Sequence, residues 1–424
     1  MFSLHNAGMN VVGRPSPQEA VSLWPAPRWL LALLLAMLGM LGPFAVDTYL
    51  PAFTGIARSL QATPAQMQQT LSAFFLTWAV MNLFHGALAD SFGRRPVVLA
   101  GLGLFALASV GCALAQTLEQ LVFFRALQGL FIGVGTVVGR AVVRDLFEPI
   151  EAQRVMSQVA MYHALAPAIA PLIGGWLFVL AGWHSIFWLL AALSGLLWLA
   201  VYKTLPETLP PEHAQPFQFA VLLRSYLRLL SDPRMSLLAL ASALPFCGVF
   251  LYVLSAPSFL GEHLALGPTQ FFWLFVMMVV GIIAGSWTSG RLAGRITAAR
   301  QIGLAYAVMI GVALLNLLAT LMLELDVSWA LFPMAGYAFG WALVMPATLL
   351  LILDLYPQRR GTASSVQAFF ASASIGVLSA AIVPLILHST VLMSLTMLTL
   401  SLTGALCWWG VLRRWPDTGR MLQA

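Results

Sequence analysis

Two ionisable side chains stand deep inside long apolar stretches of this 424-residue chain: Asp47 late in 29–50, and Arg125 within 119–140. An ionisable group at the centre of a bilayer costs about 2.5–3.5 kcal/mol on insertion scales, so function is the first hypothesis for such residues. A carboxylic acid in a low-dielectric cavity binds a proton more readily than one in water. We predict that Asp47 couples proton binding to substrate binding, together with Arg125. The alternative is a structural pair whose charges neutralise each other.

The rest of the composition is typical of a membrane protein. Hydrophobic residues make up 60% of the chain and charged residues 8%, whereas a soluble domain averages about 25% charged residues. A bilayer core of about 30 Å requires roughly 20 apolar residues per helix. A buried soluble core would not give so many long runs in succession. The predicted spans are 29–50, 68–89, 97–115, 119–140, 155–180, 184–203, 236–260, 269–290, 302–323, 328–352, 362–386 and 391–412.

The basic residues predict the orientation of the chain. Of 21 Lys and Arg residues, 19 fall in the N-terminal tail, the loops after even-numbered spans or the C-terminal tail; Arg58 is expected in the loop after the first span. Because basic residues mark the cytoplasmic side, both termini are predicted to be cytoplasmic. The net charge of +6 is then a topology signal and not a nucleic-acid-binding surface. The predicted units are a cytoplasmic tail at 1–28, a six-helix bundle at 29–203, a cytoplasmic linker at 204–234, a second six-helix bundle at 235–412 and a cytoplasmic tail at 413–424.

A dense group of charges fills the short loop at 86–96, between the second and third spans. Its acid can accept hydrogen bonds from an arginine four residues later and can face the positive amino end of the eleventh span, near Gly361. A second acid, at the end of the fourth span, can pair with the same arginine. We predict a cytoplasmic gate that holds in one state and breaks in the other. Its residues are Asp90, Gly93, Arg94, Arg95 and Asp145.

The two halves of the chain look like a degenerate repeat. The loop G-A-L-A-D-S-F-G-R-R after the second span has a counterpart, G-R-L-A-G-R-I-T-A-A-R, after the eighth span. In this alignment Gly294 stands near the position of Asp90, so the second copy lacks the acid. The first loop is therefore predicted to form the stronger gate contact.

The fifth span contains two prolines and two glycines in the pattern P-x-x-x-P-x-x-G-G, at Pro167, Pro171, Gly174 and Gly175. Proline in a helix interior removes a backbone hydrogen bond and causes a kink. Small residues allow neighbouring helices to approach closely. The segment predicts a kinked helix in close contact with another, and ordinary small-residue packing is the simpler alternative.

These motifs resemble those of one family. G-x-L-A-D-x-x-G-R-R resembles the loop between the second and third spans of major facilitator transporters, and P-x-x-x-P-x-x-G-G resembles the fifth span of their drug–proton antiporters. The segments D-x-Y-L-P-A at 47–52, R-A-V-V-R-D at 140–145 and R-G-T-A-S-S at 360–365 are similar to the bicyclomycin and chloramphenicol resistance branch. The resemblance extends from about residue 28 to 412, and the order of the motifs makes it specific.

The resemblance implies an all-α integral membrane protein with the major facilitator fold: twelve transmembrane helices in two six-helix halves. Such halves rock about a substrate site near the midplane. It also implies that Asp47 and Arg125 occupy the coupling positions. The expected location is the bacterial inner membrane, and the expected form is a monomer. The expected partners are a small-molecule drug, protons and the lipid bilayer, with no nucleic acid.

The sequence therefore predicts proton-coupled efflux of small amphipathic drugs. A phosphate-binding loop requires a lysine before Ser or Thr, and the single lysine, Lys203, follows Tyr202 and precedes Thr204 without the glycines of that motif. An ion gradient remains as the energy source, and no catalytic residue, metal site or cofactor is expected. One alternative is a proton-coupled carrier of a metabolite such as a purine nucleoside; another is a membrane-embedded enzyme or sensor without transport.

Several aromatic and methionine residues are expected to line an apolar cavity suited to amphipathic or cationic drugs. His163 is a possible proton relay, because histidine titrates near neutral pH, although a lone helical histidine is more often a packed neutral residue. The aromatic and methionine positions are Phe75, Trp78, Tyr162, Phe246, Phe250, Tyr252, Trp341 and Met345.

Overall fold

Helices account for nearly all of the chain in a computed structural model that describes residues 28–163, 165–209 and 216–419. Within this part, eleven helical segments are long and apolar enough to cross a membrane. A twelfth span forms if the bent pair Pro64–Asn82 and His85–Phe92 is counted as one. The predicted all-α membrane fold is therefore confirmed.

Within the described residues, the first half contains ten α-helices joined by short turns. Four of its six spans consist of two helices, because the chain breaks inside the first, second, fourth and fifth spans. The helices are Arg28–Asp47, Phe53–Ser59, Pro64–Asn82, His85–Phe92, Arg94–Ala113, Leu118–Ile132, Val134–Leu146, Pro149–His163, Ala166–Ala181 and His184–Thr204.

The second half follows a linker helix and contains longer unbroken segments. Two π-helical stretches interrupt it, Pro257–His263 after the seventh span and Leu378–Ile382 within the eleventh. The α-helices after the linker are Pro233–Leu254, Phe272–Leu292, Ala298–Met322, Val327–Ala330, Phe332–Leu355, Arg360–Val377, Val383–Ile386 and Thr390–Arg414.

The first span is longer than the sequence predicted. A 3₁₀ turn at Leu50–Ala52 joins its two helices, so the apolar segment extends from Trp29 to Ser59 rather than ending at residue 50. Arg58, expected in a loop, lies in the last turn of this span. Proline is tolerated at the start of a helix because its missing N–H has no partner there anyway. Asp47 consequently lies deeper within its span than the predicted boundary implied.

The linker helix, Phe219–Leu230, packs along one end of the bundle. In this helix Tyr226 and Leu229 are buried while Arg224 and Arg228 are exposed. The Tyr226 hydroxyl donates to the carbonyl of Leu83, where the second span bends by 48°. Burial raises the pKa of Tyr226, and its hydroxyl, like that of an unperturbed tyrosine, is protonated at neutral pH.

Candidate functional site

Asp47 is the last residue of the first long helix, at a break in the hydrogen-bond ladder. Pro51 stands four residues later and has no N–H to donate to the Asp47 carbonyl. The Tyr49 N–H bonds to the Val46 carbonyl at 3.2 Å, one residue closer than in a regular α-helix. The carbonyl of Ala45 therefore faces other partners.

Arg125 uses this freed carbonyl. Its Nη1 donates to the Ala45 carbonyl at 3.0 Å and to Gln128 Oε1 at 2.8 Å. The guanidinium carbon lies 4.8 Å from the ring centroid of Tyr49 and 4.5 Å from that of Phe74. Cation–π contacts of this kind strengthen when the charge is desolvated, and Arg125 is fully buried. The break beside Asp47 thus also provides an acceptor for the buried cation.

Asp47 and Arg125 do not form an ion pair. Among the residues the structure describes, neither a salt bridge nor a hydrogen bond joins them, and Nε and Nη2 of Arg125 have no hydrogen-bonding partner. Asp47 is 5% exposed and accepts no side-chain hydrogen bond in this part of the chain. The alternative of a mutually neutralising pair is therefore wrong for this state.

The glycines of the fifth span allow two close approaches. Gly174 lies against the backbone of Thr48, the residue after Asp47, and a Cβ at this position would overlap it. A Cβ at Gly175 would lie 2.5 Å from the carbonyl oxygen of Pro268, in the second half. The predicted close contact is confirmed. Pro167 begins the helix Ala166–Ala181, and Pro171 lies inside it.

The predicted charge cluster after the second span is present, but the predicted loop at 86–96 is wrong, because only Gly93 separates the helices His85–Phe92 and Arg94–Ala113. Arg94 bonds to Asp90, and its Nε donates to Asp145 Oδ2 at 3.2 Å. The pairing of Asp145 with Arg94 is thus confirmed. All three residues belong to the first half of the chain. The Asp90 side chain remains 50% exposed.

Glu207 completes this cluster and was not predicted. Its carboxylate accepts the backbone N–H of Arg94 at 2.9 Å and that of Arg95 at 3.2 Å. Gly93, with φ of 95°, turns the chain so that both N–H groups point at the acid. Arg95 also donates through Nη2 to the Tyr202 carbonyl at 2.7 Å. An acid just beyond the sixth span, opposite a basic loop, was the signal available in the sequence.

A cavity of about 1020 Å³ separates the halves at the arginine-rich end of the bundle. We call it the vestibule. The predicted neighbours Asp90 and Gly361 lie on its walls, and no hydrogen bond joins them in the described chain. Asn82 also lines it and donates to Ser372 Oγ of the second half at 3.1 Å. Among the residues that the structure describes, five arginines lie on its walls: Arg94, Arg140, Arg144, Arg359 and Arg360.

At the opposite end the halves are closed by a neutral side chain, Gln68. Its Nε2 donates to the Leu254 carbonyl at 3.0 Å, and its Oε1 accepts from Ser379 Oγ at 3.0 Å. Leu254 ends the seventh-span helix, and Ser379 lies in the π-helical stretch Leu378–Ile382. Gln68 is 1% exposed. Sequence reasoning missed it, although a glutamine in an apolar run was visible.

Five of the predicted cavity-lining residues form one continuous row across the centre of the molecule. The contacts run from Trp78 through Phe75, Phe250 and Phe246 to Trp341, with centroid separations of 5.9, 5.7, 4.6 and 4.8 Å. The row joins the second span to the seventh and tenth. Outside this row, Tyr252 bonds to Asn316, and Met345 is exposed.

The second copy of the repeated loop contains Gly294 near the position that Asp90 occupies in the first. Gly294 has a positive φ of 75°, and Gly93 has one of 95°. Arg291, three residues before Gly294, stacks its guanidinium 3.7 Å from the ring centroid of Trp287. The second loop lacks an acid like Asp90. The His163 side chain falls outside the described part of the chain.

Comparison with known proteins agrees with this architecture. The family model for the Major Facilitator Superfamily matches residues 30–380. The bicyclomycin resistance protein homolog of Haemophilus influenzae is 31% identical, over 79% of this chain and 84% of its own length. Multidrug resistance protein D of Escherichia coli is 27% identical, over 92% of this chain and 98% of its own length.

Solved structures support the fold. A peptide transporter, POT, superposes with a TM-score of 0.75 at 15% identity, over 96% of this chain and 99% of its own. A bacterial homolog of the lysosomal transporter Spinster, solved in an inward-facing conformation, gives 0.68 at 16% identity, over 92% and 98%. The chain is thus a multi-pass membrane transporter and not an enzyme. It belongs to the major facilitator superfamily, and its relatives agree with the bicyclomycin/chloramphenicol resistance branch of the drug–proton antiporters.

Proposed function

We propose that this transporter exports small amphipathic drugs from the cytoplasm in exchange for protons, with Asp47 as the coupling carboxylate. The observation that carries the proposal is the unpaired, buried carboxylate of Asp47 at the break in the first span. A protonatable group of this kind changes its proton occupancy when its surroundings change. The relatives named as drug resistance proteins supply the substrate class.

In the proposed cycle, a proton from outside neutralises Asp47 and drug is discharged. The halves then rock so that the vestibule opens toward the cytoplasm, as in the state described above. Loss of the proton to the cytoplasm allows the next drug molecule to bind. The orientation rests on the positive-inside rule, because the arginine-rich loops lie at the vestibule end.

The proposed role of Arg125 is to fix the protein structure around Asp47. Arg125 does not itself bind and release the transported proton. Its guanidinium is fixed by the Ala45 carbonyl and by Gln128, whose Nε2 in turn donates to Ser109 at 2.8 Å. Arginine remains charged under ordinary conditions. Because the guanidinium binds the carbonyl freed at the helix break, Arg125 stabilises the backbone conformation that places Asp47 at that break.

The driving force is sufficient for one carboxylate. A membrane potential of 100 mV provides about 2.3 kcal/mol per charge, and one pH unit provides about 1.4 kcal/mol. Because 1.4 kcal/mol corresponds to a factor of ten, one proton can sustain roughly a 500-fold gradient of a neutral substrate. One coupling acid is therefore sufficient on energetic grounds.

The test uses inverted membrane vesicles with an imposed proton gradient and a panel of chloramphenicol, bicyclomycin and a purine nucleoside. We expect proton-driven drug uptake by the wild-type protein, and its loss in Asp47→Asn with the protein still present in the membrane. Asp354→Asn, an exposed acid at the end of the tenth span, is the matched control and should retain uptake.

Two results would contradict the proposal. Coupled uptake and substrate-induced proton release that are unchanged in Asp47→Asn would remove the coupling role from this residue. Movement of the nucleoside with none of the drugs would replace the drug assignment by the metabolite carrier.

A further inference from the structure

The vestibule has a strongly unbalanced charge. Five arginines line its walls, whereas Asp90 is its single lining carboxylate among the described residues. Arg94 is neutralised by Asp90 and Asp145. Counting both acids, five arginines against two carboxylates leave three positive charges around the cavity.

The remaining arginines are unpaired. Arg140, Arg144, Arg359 and Arg360 form no salt bridge within the part of the chain that the structure describes. Arg140 and Arg144 come from the fourth span, and Arg359 and Arg360 precede the eleventh, so the charge comes from both halves. All four side chains are exposed and border the same cavity. The positive-inside rule requires only that basic residues lie on the cytoplasmic side. It does not require that they surround a cavity, as these arginines do.

We propose that the vestibule selects substrates by charge, admitting amphipathic anions and neutral molecules and disfavouring lipophilic cations. The inference rests on the proposed function, because the vestibule is then the route of the drug from the cytoplasm. A cleft lined by one sign of charge with low-dielectric walls concentrates ligands of the opposite sign. It also repels like-charged ligands before they reach Asp47. The substrate class is thereby narrowed from amphipathic or cationic drugs to amphipathic anions and neutral drugs.

The first measurement compares two dyes that share a xanthene ring, the anion fluorescein and the cation rhodamine 123. Binding to the purified full-length transporter is followed by fluorescence anisotropy. We expect the Kd of fluorescein to be at least about fivefold lower than that of rhodamine 123 at low salt. The two values should converge as the ionic strength rises to about 1 M, where the Debye length falls to about 3 Å. Equal affinities at low salt, tighter rhodamine binding or no fluorescein binding would overturn the inference.

The second measurement locates the effect with a matched pair of double variants. Arg144→Gln/Arg359→Gln removes two charges from the vestibule walls, one from each half. Arg224→Gln/Arg228→Gln removes two exposed charges from the linker helix, outside the vestibule lining. The vestibule pair should weaken fluorescein binding roughly fivefold and strengthen rhodamine binding, because the local potential falls. The linker pair should leave the ratio of the two Kd values unchanged, and an equal shift in both variants would assign selectivity to net charge alone and overturn the inference.

The vesicle assay and the dye-binding assay together test the charge selection and the proposed antiport separately. If vesicles exchange drug for protons through Asp47 but rhodamine binds more tightly than fluorescein, the charge selection fails and the antiport stands. If fluorescein is preferred but no drug moves against a proton gradient, the selectivity stands and the antiport fails.

Discussion

Bonds between the two halves and bonds within the first half are of different kinds. Between the halves, Gln68 at the end opposite the vestibule and Asn82 in the vestibule form uncharged hydrogen bonds. Within the first half, at the vestibule end, the charges of Arg94, Asp90 and Asp145 join elements to each other. Rocking of two rigid halves changes the first set and leaves the second intact. The weaker, neutral contacts between the halves therefore contribute more than the charged cluster to the free-energy difference between the conformations that interconvert by rocking.

This comparison refines the predicted cytoplasmic gate. Separation of the two halves does not by itself break a cluster whose residues all belong to the first half. Its contribution to gating must come from an atom that can meet the other half. Asp90 is such a candidate, since its half-exposed carboxylate and the amino end of the eleventh span border the same vestibule. In the state with a closed vestibule we expect these two groups to approach.

The largest effect is expected from Gly175→Leu, which would place a side chain against the Pro268 carbonyl across the halves. Overpacking a tight contact costs about 3 kcal/mol, enough to shift the equilibrium roughly 100-fold toward the state open at the end opposite the vestibule. Ser255 is fully buried near Leu254. Labelling of Ser255→Cys by an external maleimide, in a background without the native cysteines, reports the shift.

The control for this substitution is Gly195→Leu, where a Cβ meets nothing within 4 Å. It should leave both labelling and transport near the wild-type level. Unchanged labelling in Gly175→Leu would show that the contact of the fifth span with Pro268 does not close this end.

An intermediate effect is expected from Gln68→Leu, compared with Gln301→Leu. Gln301 donates to Ser289 Oγ and to the Leu343 carbonyl, each at 2.9 Å, within the second half. Both glutamines are buried and bond to a serine and a leucine carbonyl, but only Gln68 does so across the halves. The net loss of about 1 kcal/mol should raise Ser255→Cys labelling roughly fivefold for Gln68→Leu. Gln301→Leu should lower the melting temperature and leave labelling unchanged; equal labelling of both variants would break the comparison.

The smallest effect is expected from Asp90→Asn. Removal of a charge near a helix amino end costs about 0.5 kcal/mol, so the closed-vestibule state should become about twofold less populated. Transport should fall, while substrate affinity measured in a fixed outward state should remain nearly the same. Asp145→Asn lies inside the cluster and should lower the melting temperature without moving the equilibrium. An affinity loss in Asp90→Asn would show that this acid contacts substrate.

Sequence reasoning located the charged positions because charge is rare in an apolar chain. Asp47, Arg125 and the loop containing Asp90 were all visible on that basis, and the repeated runs predicted the twelve-span fold. The positive φ values of Gly93 and Gly294 could not be seen in the sequence, because glycine adopts either sign of φ.

The contacts between halves could not be predicted. Gln68 and Ser379 are neutral, and 311 positions separate them along the chain. No local periodicity links such residues, and their pairing depends on how two complete bundles dock. The unpaired state of Asp47 and Arg125 was also hidden, because it depends on the freed carbonyl of Ala45.

The two π-helical stretches, Pro257–His263 and Leu378–Ile382, provide an internal probe of how often the end opposite the vestibule opens. A π-helical turn bonds residue i to i+5 and is rarer than an α-helical turn. Here one stretch contains Ser379 and the other begins three residues after Leu254, and both of these residues are partners of Gln68. The amide protons of the two stretches should exchange with deuterated solvent faster than those of the neighbouring α-helices whenever that end opens. Hydrogen–deuterium exchange on the unlabelled protein would thus detect opening of that end as deuterium uptake in the peptides that cover these two segments.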